Sequence, residues 1–228
     1  MWKVPRFTHL TFDCYGTLID WRAGIESQLV DTLGDLKIGG QKLLAAYVEA
    51  EKSQEFEYRK YREVLRETVV SLSAVLGAKV TDATAQKFAG SVPKWPTFPD
   101  TAGFLRKMGS KGFKRYILSN VDNDLLEETI RRHDLEVDGF VTAEEVGSYK
   151  PRPGHWEKFF QMTGARRDRV LHVAQSVFHD IIPAQDMGLA SAWVNRYHEP
   201  MTRATSPLFV TDGLSHLAEL LDGSLRKG

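Results

Sequence analysis

Hydrophobic residues recur with two different periods along the chain, and the period changes twice. A short apolar run over residues 7–12 predicts a buried strand. From residue 22 to about residue 92, apolar positions lie three or four residues apart, which is the spacing of amphipathic helices. Beyond residue 100, short apolar runs alternate with helical patterns, as in a parallel sheet with crossover helices. The pattern therefore predicts an α/β core into which a block of helices is inserted.

The helical block has three predicted amphipathic faces and a proline-rich exit. The apolar positions of these faces are, in chain order, Ile25, Leu29, Val30, Leu33 and Leu36; Leu43, Leu44, Tyr47 and Val48; and Tyr58, Tyr61, Val64, Leu65, Val69, Leu72, Val75 and Leu76. Gly77 is a typical end for the third helix. Three prolines in residues 92–100 predict a stiff, extended crossing back to the core. We predict a core domain of residues 1–20 and 96–228 and a helical cap subdomain of residues 21–95.

The second half of the chain supplies the other predicted strands. They cover residues 113–118, 139–142, 170–174, 191–194 and 209–210. Right-handed crossovers bring the carboxyl ends of parallel strands to one edge of the sheet, where ligands bind in open α/β folds. Polar residues at those ends are therefore the first candidates for a functional site.

Several polar positions follow these predicted strands or lie in the loops beyond them. They are Asp13, the pair Ser119 and Asn120, Lys150 and Asp180. An acid at the end of a buried strand is costly to desolvate, so Asp13 is a candidate nucleophile that the next turn would orient. The alternative is structural, because aspartate and Ser-Asn pairs also cap helices and a single lysine is usually a surface residue. Position alone leaves both interpretations open.

Composition and charge exclude several functional classes. The chain has 228 residues with 30 basic and 30 acidic side chains, so no basic surface for nucleic acid or an anionic membrane is expected. The single cysteine, Cys14, excludes a disulfide framework and suits a reducing cytosol. No stretch has the pattern of a signal peptide or a membrane span. We expect a soluble cytoplasmic protein whose partner is a small molecule.

Short motifs around these positions resemble the four motifs of the haloacid dehalogenase superfamily. They are FDCYGTL, SN, SYKP and HVAQSVFHD, in the superfamily's order. The resemblance implies a Rossmann-like core with an inserted all-helical cap. It also implies a catalytic set in which the first acid attacks the substrate and the lysine neutralises the clustered carboxylates: Asp13, Thr17, Ser119, Lys150 and Asp180. Substrate contacts are expected from Tyr15, Asn120, Ser176, His179 and Trp156.

Two positions distinguish branches of this superfamily. Its magnesium phosphatases carry a second acid where this chain has Tyr15, and another acid where it has Gln175. Only Asp13 and Asp180 remain, and a hard cation usually needs more oxygen ligands than two carboxylates beside a lysine. The motifs resemble instead the 2-haloacid dehalogenases, which implies a metal-independent hydrolase, without a cofactor, that displaces a halide-like group from the α carbon of a small 2-substituted carboxylate. A magnesium phosphatase is the alternative.

The chain also departs from the 2-haloacid dehalogenase pattern. Trp156 stands where those enzymes carry an aromatic hydroxyl, and their carboxylate-binding cap arginine has no clear counterpart; Arg59 and Arg62 are more typical of solvated helix charges. Several runs are similar to the azetidine-2-carboxylate hydrolases of the same superfamily, namely FDCYGTLIDW, WPTFPD, GSYKP and HVAQSVFHDIIPAQDMGLASAW. That resemblance implies ring opening by the same displacement. A third hypothesis is a binding protein on a superfamily scaffold that has lost its activity.

Aromatic residues at both predicted crossings suggest how the site is enclosed. Trp21, Trp95 and Phe98 are expected to form an apolar wall with Tyr15 at its edge, which would exclude water; the alternative is that they join cap and core. Two histidines also need assignment. His172 lies inside an apolar run and is predicted to be a core residue, whereas His179 could titrate near neutrality beside the site or bond a loop carbonyl. A homodimer is possible from the resemblance alone.

Overall fold

A computed structural model describes residues 7–34, 39–52, 57–201 and 205–225. Its core is a parallel sheet of six strands in the order β3-β2-β1-β4-β5-β6. The strands are β1 (His9–Phe12), β2 (Lys114–Ser119), β3 (Gly139–Thr142), β4 (Val170–Ala174), β5 (Ala190–Val194) and β6 (Phe209–Thr211). Each lies within two residues of its predicted position. The strand predictions are therefore confirmed, as is the α/β class.

The first strand holds the centre of the sheet. His9 of β1 lies opposite Lys114 of β2 and Val170 of β4, so β1 is paired on both sides. Every residue of β4 is buried, as expected for a strand covered by helices on both faces. Because β1, β2 and β4 are adjacent and parallel, the residues that follow them emerge side by side.

Helices cover the sheet and build the cap. Those of the cap are α1 (Trp21–Leu33), α2 (Gly40–Lys52), α3 (Tyr61–Leu76) and α4 (Asp82–Ala89). Those of the core are α5 (Thr101–Ser110), α6 (Asn123–Arg132), α7 (Ala143–Val146), α8 (Gly154–Thr163), α9 (Ile182–Asp186) and α10 (Leu214–Leu225). Within the described part of residues 21–95 there is no strand. No helix of the described chain is long and apolar enough to cross a bilayer.

The predicted cap faces are correct in outline and wrong at three positions. Val30 is 60% exposed and Val75 is 82% exposed, because each lies on the outer side of its helix despite its spacing. Tyr58 precedes α3, which begins at Tyr61. Leu36 lies outside the described residues. Gly77 ends α3 in the left-handed conformation, as predicted.

The two crossings between cap and core run side by side. Ile19 forms bridges with Tyr15 and with Thr97, and the backbone N–H of Asp20 donates to the carbonyl of Pro96. The predicted extended crossing is wrong at its start, because Val92–Lys94 forms a turn of 3-10 helix with proline near its beginning. This turn packs beside α6.

Trp95 connects the second crossing to the first cap helix. A Cβ atom built on Gly24 would lie 2.2 Å from Cγ of Trp95, so only a glycine in α1 permits this approach. Trp95 is buried within one continuous apolar cluster that includes Phe12 of the sheet and Leu65 of the cap. Cap and core therefore share a hydrophobic core at the base of the cleft between them.

Candidate active site

A buried lysine forms the centre of the site, at the carboxyl ends of β1, β2 and β4. Nζ of Lys150 lies 2.9 Å from Oδ1 of Asp13 and 2.7 Å from Oδ1 of Asp180. It also donates to the carbonyl of Leu118 at 2.9 Å. An ammonium has three N–H donors, so each of them has a protein acceptor. The lysine is thus the shared counter-ion of two carboxylates.

Hydrogen bonds fix the parts of this cluster relative to one another. The Thr17 hydroxyl donates to Oδ2 of Asp13 at 2.9 Å and accepts the backbone N–H of Gln175 at 2.9 Å. Asn120 holds the backbone of Lys150 from both sides, since its Oδ1 accepts the lysine N–H at 2.7 Å and its Nδ2 donates to the lysine carbonyl at 3.1 Å. These bonds explain why Thr17 and Asn120 occur at strand ends close to the charged groups.

The three charged groups shift one another's pKa values. Burial raises the pKa of Asp13 above its ordinary value, while the Lys150 ammonium opposes that shift. Burial also acts on Asp180, but Lys150 and His172 outweigh it and hold the pKa of that carboxyl well below its ordinary value. For Lys150, the two carboxylates outweigh desolvation, so its pKa is raised. The lysine therefore stays protonated and Asp180 stays ionised.

His172 is a core residue, as predicted, but it also contacts the charged cluster. Its ring is fully buried, with Nε2 at 3.0 Å from Oδ1 of Asp180 and Nδ1 at 2.9 Å from the hydroxyl of Thr11. The sequence showed only its apolar neighbours in β4, because the contact with Asp180 depends on how the chain turns after that strand. His172 supports the orientation of Asp180 from below.

A cavity of about 470 Å³ lies between this cluster and the cap. Eight of the predicted site residues line it: Asp13, Tyr15, Ser119, Asn120, Lys150, Ser176, His179 and Asp180. Thr17 lies behind the cavity wall in contact with Asp13. Among the described residues, the Ser119 hydroxyl and Oδ2 of Asp180 are buried without a hydrogen-bond partner. Such groups are costly unless a ligand or water completes them.

The predicted substrate contact of Trp156 is wrong. Its side chain is fully buried in a cluster with Phe159 and Leu118, and its ring packs 5.2 Å from that of His172. Trp156 lies on α8 and does not line the cavity. The tryptophan therefore fills core volume at the position where the resemblance implied a substrate hydroxyl contact.

Aromatic rings close the apolar side of the cavity. Tyr15, Trp21 and Trp95 line it, and the rings of Tyr15 and Trp95 meet edge to face at 5.7 Å. The hydroxyl of Tyr15 bonds to that of Thr129, so it is turned toward α6. Phe98 was predicted to belong to this wall but lies outside it, where the Arg196 guanidinium stacks on its ring at 3.8 Å.

His179 lies in the cavity wall but does not titrate near neutrality. Burial lowers its pKa to about 4, and Nδ1 lies 3.1 Å from the Ser176 hydroxyl. The ring is therefore neutral at pH 7, which contradicts the hypothesis of a proton-transfer group with a pKa near neutrality. Its backbone N–H also donates to Ser176, so the pair forms part of the turn that carries Asp180.

Three further charged residues line the cavity that sequence reasoning did not identify: Arg22, Glu51 and Glu199. Oε1 of Glu51 accepts from the hydroxyls of Tyr61 at 2.9 Å and Tyr47 at 3.0 Å, and burial raises the pKa of this carboxyl. Arg22 begins the cap and forms a pair with Glu199. No short motif contains these residues, since only tertiary packing brings them to the cavity.

The donor set at the cluster does not fit a magnesium ion of the kind used by superfamily phosphatases. The Lys150 ammonium lies between the two carboxylates and bonds to one oxygen of each, so their charge is already compensated. Gln175, in place of an acid, donates its amide to Glu199 at 3.0 Å. Within the described chain, no group of three or more acidic, histidine or cysteine side chains is arranged to hold a metal. Absence of a cofactor remains a prediction.

Fold and site together define an α/β protein whose helical cap lies over acids at the carboxyl edge of a parallel sheet. A model of the haloacid dehalogenase-like hydrolase family matches residues 7–188, and the chain belongs to this family. An (S)-2-haloacid dehalogenase from Pseudomonas fluorescens is 24% identical over 230 residues, covering 94% of this chain and 96% of that protein.

Two further relatives extend the comparison. Haloacetate dehalogenase H-2 from Moraxella sp. (strain B) is 23% identical over 201 residues, which cover 85% of this chain and 88% of that protein. The solved structure of L-2-haloacid dehalogenase from Xanthobacter autotrophicus superposes with a TM-score of 0.84 at 21% identity, covering 95% of this chain and 99% of that one. The structural likeness establishes the fold, including the cap.

Proposed function

We propose that the protein is a metal-independent hydrolase that displaces a halide-like group from the α carbon of a small 2-substituted carboxylate. The observation that carries this proposal is the Asp13–Lys150–Asp180 cluster, in which one buried ammonium compensates two buried carboxylates. An ionised, desolvated carboxylate beside an aromatic wall suits attack on a carbon centre. A phosphate would need many more donors than this wall offers.

The reaction proceeds in two displacement steps. A carboxylate oxygen of Asp13 forms a bond to the α carbon, and the leaving group departs with the bonding electron pair. Water then attacks the carbonyl carbon of the resulting ester, which regenerates the Asp13 carboxylate and releases a 2-hydroxy acid and a proton. The covalent intermediate divides one difficult displacement into two easier steps.

The other residues of the cluster have separate roles in this proposal. Lys150 keeps Asp13 ionised, and Thr17 orients its second oxygen. The unpartnered hydroxyl of Ser119 donates to a substrate oxygen, while Asn120 holds the Lys150 loop in place. Asp180 positions the lysine through Oδ1 and the hydrolytic water through Oδ2.

A second candidate is ring opening of an azetidine-2-carboxylate-type substrate by the same displacement. The observation that favours it is Glu51, a cavity carboxylate on the cap with no arginine or lysine bonded to it among the described residues. A protonated ring nitrogen would complement that carboxylate, whereas a halogen would not. The two candidates differ in the leaving group and share Asp13.

Replacing Asp13 by Asn tests the nucleophile. We expect turnover of 2-chloropropionate to fall by at least about a thousandfold, in line with the loss of a catalytic nucleophile. Turnover is measured as halide release in the presence of a chelator. Asp168→Asn on the surface is the control and keeps its activity, because the partners of Asp168 among the described residues are the exposed Arg166 and Arg169.

Rapid quenching of the wild-type enzyme with excess substrate gives the direct readout. A mass increase on the peptide containing Asp13, equal to the acid without its leaving group, is expected. Residual Asp13→Asn activity within tenfold of wild type would overturn the nucleophile assignment. A parallel panel of azetidine-2-carboxylate and an aryl phosphate separates the candidates, since phosphatase activity that requires magnesium would contradict both.

A further inference from the structure

A carboxylate substrate needs a cationic partner in the cavity, and Lys150 has no donor left for it. All three of its N–H groups bond to protein oxygens, on Asp13, Leu118 and Asp180. His179 is neutral at pH 7, since burial lowers its pKa to about 4. Among the described residues that line the cavity, Arg22 is the other positively charged side chain. The requirement itself rests on the proposed function.

The guanidinium of Arg22 is held on aromatic rings at the entrance between cap and core. Its Cζ lies 3.5 Å from the ring centroid of Tyr197 and 5.6 Å from that of Trp21. Aromatic faces stabilise a planar cation without using its N–H donors. The side chain is 35% exposed, so it is accessible to a ligand entering the cavity.

Most donors of this guanidinium have no protein acceptor in the described chain. Nη2 bonds to Oε1 of Glu199 at 2.5 Å, and Nε is buried without a partner. An unsatisfied buried donor on a charged group is costly, and the fork of a guanidinium matches the two oxygens of a carboxylate. The Arg22 guanidinium thus binds the Glu199 carboxylate at one edge and, within the described chain, has donors left for a second carboxylate.

Glu199 is the group that holds Arg22 in place. Its second oxygen accepts from the amide of Gln175, so the acid connects the cap arginine to the loop that follows β4. Gln175 in turn positions Thr17 through its backbone N–H. The carboxylate end of a substrate would therefore be bound near the groups that orient the nucleophile.

We propose that Arg22 binds the carboxylate of the substrate. It performs this task from the first turn of α1, a position that no motif identifies. Glu199 holds the guanidinium against Tyr197 when no substrate is bound, and the substrate carboxylate supplies an acceptor for Nη1, which has none among the described residues. Arg22 is then a specificity-determining residue and takes no part in bond breaking.

Arg22→Gln tests this assignment, with Arg62→Gln as the matched control. Arg62 also joins cap to core through an ion pair, with Asp124 at 2.6 Å, but it does not line the cavity. For Arg22→Gln we expect KM for 2-chloropropionate to rise about 30-fold, while kcat stays within threefold of wild type. This is the pattern for loss of a charged hydrogen bond that is equally strong in the ground state and in the transition state. Arg22→Lys should recover part of the affinity, and Arg62→Gln should match wild type.

A binding measurement keeps this test independent of turnover. Propionate and its neutral analogue propionamide are titrated calorimetrically into the Asp13→Asn protein, with and without Arg22→Gln. Preference for propionate that disappears with Arg22→Gln supports the proposal, whatever the leaving group of the true substrate. Equal propionate affinity in both proteins, or an equal loss in Arg62→Gln, would overturn it while leaving the nucleophile assignment to its own test.

Discussion

The two sides of the cavity differ in how completely their polar groups are satisfied. On the core side, Lys150 uses every donor, and Asn120 uses both ends of its amide on one backbone segment. On the cap side, within the described chain, Arg22 has a buried donor without a partner, and Glu51 accepts from two tyrosine hydroxyls. On the core side the charged groups therefore bond to one another, and only the Ser119 hydroxyl and Oδ2 of Asp180 remain, among the described residues named here, for substrate and water. On the cap side the charged groups themselves have capacity for a ligand.

This difference separates chemistry from recognition. A network whose members satisfy one another has a fixed geometry, which is what a nucleophile requires before substrate arrives. Groups with spare capacity contribute nothing until a ligand with matching charge is present, so they determine which molecule is bound. Core substitutions should therefore change the rate for every substrate, and cap substitutions should change the ranking among substrates.

Among the predicted substitutions, Lys150→Met should have the largest effect on activity, because it removes the central charge of the core side. Removal of the ammonium leaves two buried carboxylates without a counter-ion, so the pKa of Asp13 rises further and the nucleophile is protonated over a wider pH range. We expect kcat/KM at neutral pH to fall about a thousandfold for every substrate, as for removal of a central electrostatic group. Steady-state kinetics on halogenated and ring substrates measure this.

Lys158→Met is the control for Lys150→Met. Lys158 pairs with Glu145 at 3.1 Å on the surface, with 39% of its side chain exposed, and its loss should change the free energy of unfolding by under about 1 kcal/mol. Loss of the buried lysine should cost about 3–5 kcal/mol in urea unfolding. Equal kinetics in the two variants would show that the core network is not catalytic.

The core side was largely predictable from the sequence, for a physical reason. Strand pairing places residues that are far apart in sequence at one edge of the sheet. A short apolar run followed by a polar residue therefore already indicates a candidate site residue at that edge. Asp13 and Ser119 were found in this way, and the order of the motifs supplied Lys150 and Asp180. The hydrogen bond between His172 and Asp180 was not found, because its local pattern is that of any core residue.

The cap side could not be predicted in the same way. Helix spacing gives the buried stripe only approximately, as Val30 and Val75 show by facing solvent. Which helical residue reaches the cavity depends on the angle at which the cap meets the core, and Gly24 helps to set this by admitting Trp95. Arg22 and Glu51 lie in ordinary amphipathic helices, so nothing in their neighbourhood distinguishes them from solvated charges.

The pH dependence of activity is a further test of the core side. Below the pKa of the nucleophile, kcat/KM should fall tenfold for each pH unit. Asp13 reacts as a carboxylate and burial raises its pKa above the ordinary 3.8, so activity is present above the folded-state value and is lost as pH falls through it. Protonation of Asp180 does not contribute to this loss of activity at low pH, because the pKa of its carboxyl is well below the ordinary value. Lys150 gives no loss at neutral or mildly alkaline pH, because its pKa is raised above 10.5.

His179 must be separated from Asp13 in this profile, since burial lowers the pKa of its ring to about 4. The variant His179→Gln is expected to keep the acid limb of kcat/KM in place. Lys150→Met should move the limb to higher pH. If the limb disappears with His179→Gln, protonation of the histidine and not of Asp13 controls activity at low pH.

The smallest effect is expected on the cap, for Glu51→Gln. This change keeps the shape and the acceptor oxygen for the hydroxyls of Tyr47 and Tyr61, and removes only the charge. Kinetics with 2-chloropropionate should therefore stay within about threefold, since that substrate has no group that needs the charge. Recognition of a protonated amine should weaken about tenfold, as for loss of a charge-assisted hydrogen bond.

Azetidine-2-carboxylate and cyclobutanecarboxylate form a suitable pair of ligands, because they share ring size and carboxylate and differ in the ring nitrogen. Titrated into Asp13→Asn at alkaline pH, where Glu51 is ionised despite its raised pKa, the nitrogen-containing acid should bind more tightly. The preference should decline as pH falls and should vanish in Asp13→Asn with Glu51→Gln. Equal binding of the two ligands to Asp13→Asn would show that Glu51 does not recognise an amine, and halide displacement would then stand as the better-supported reaction.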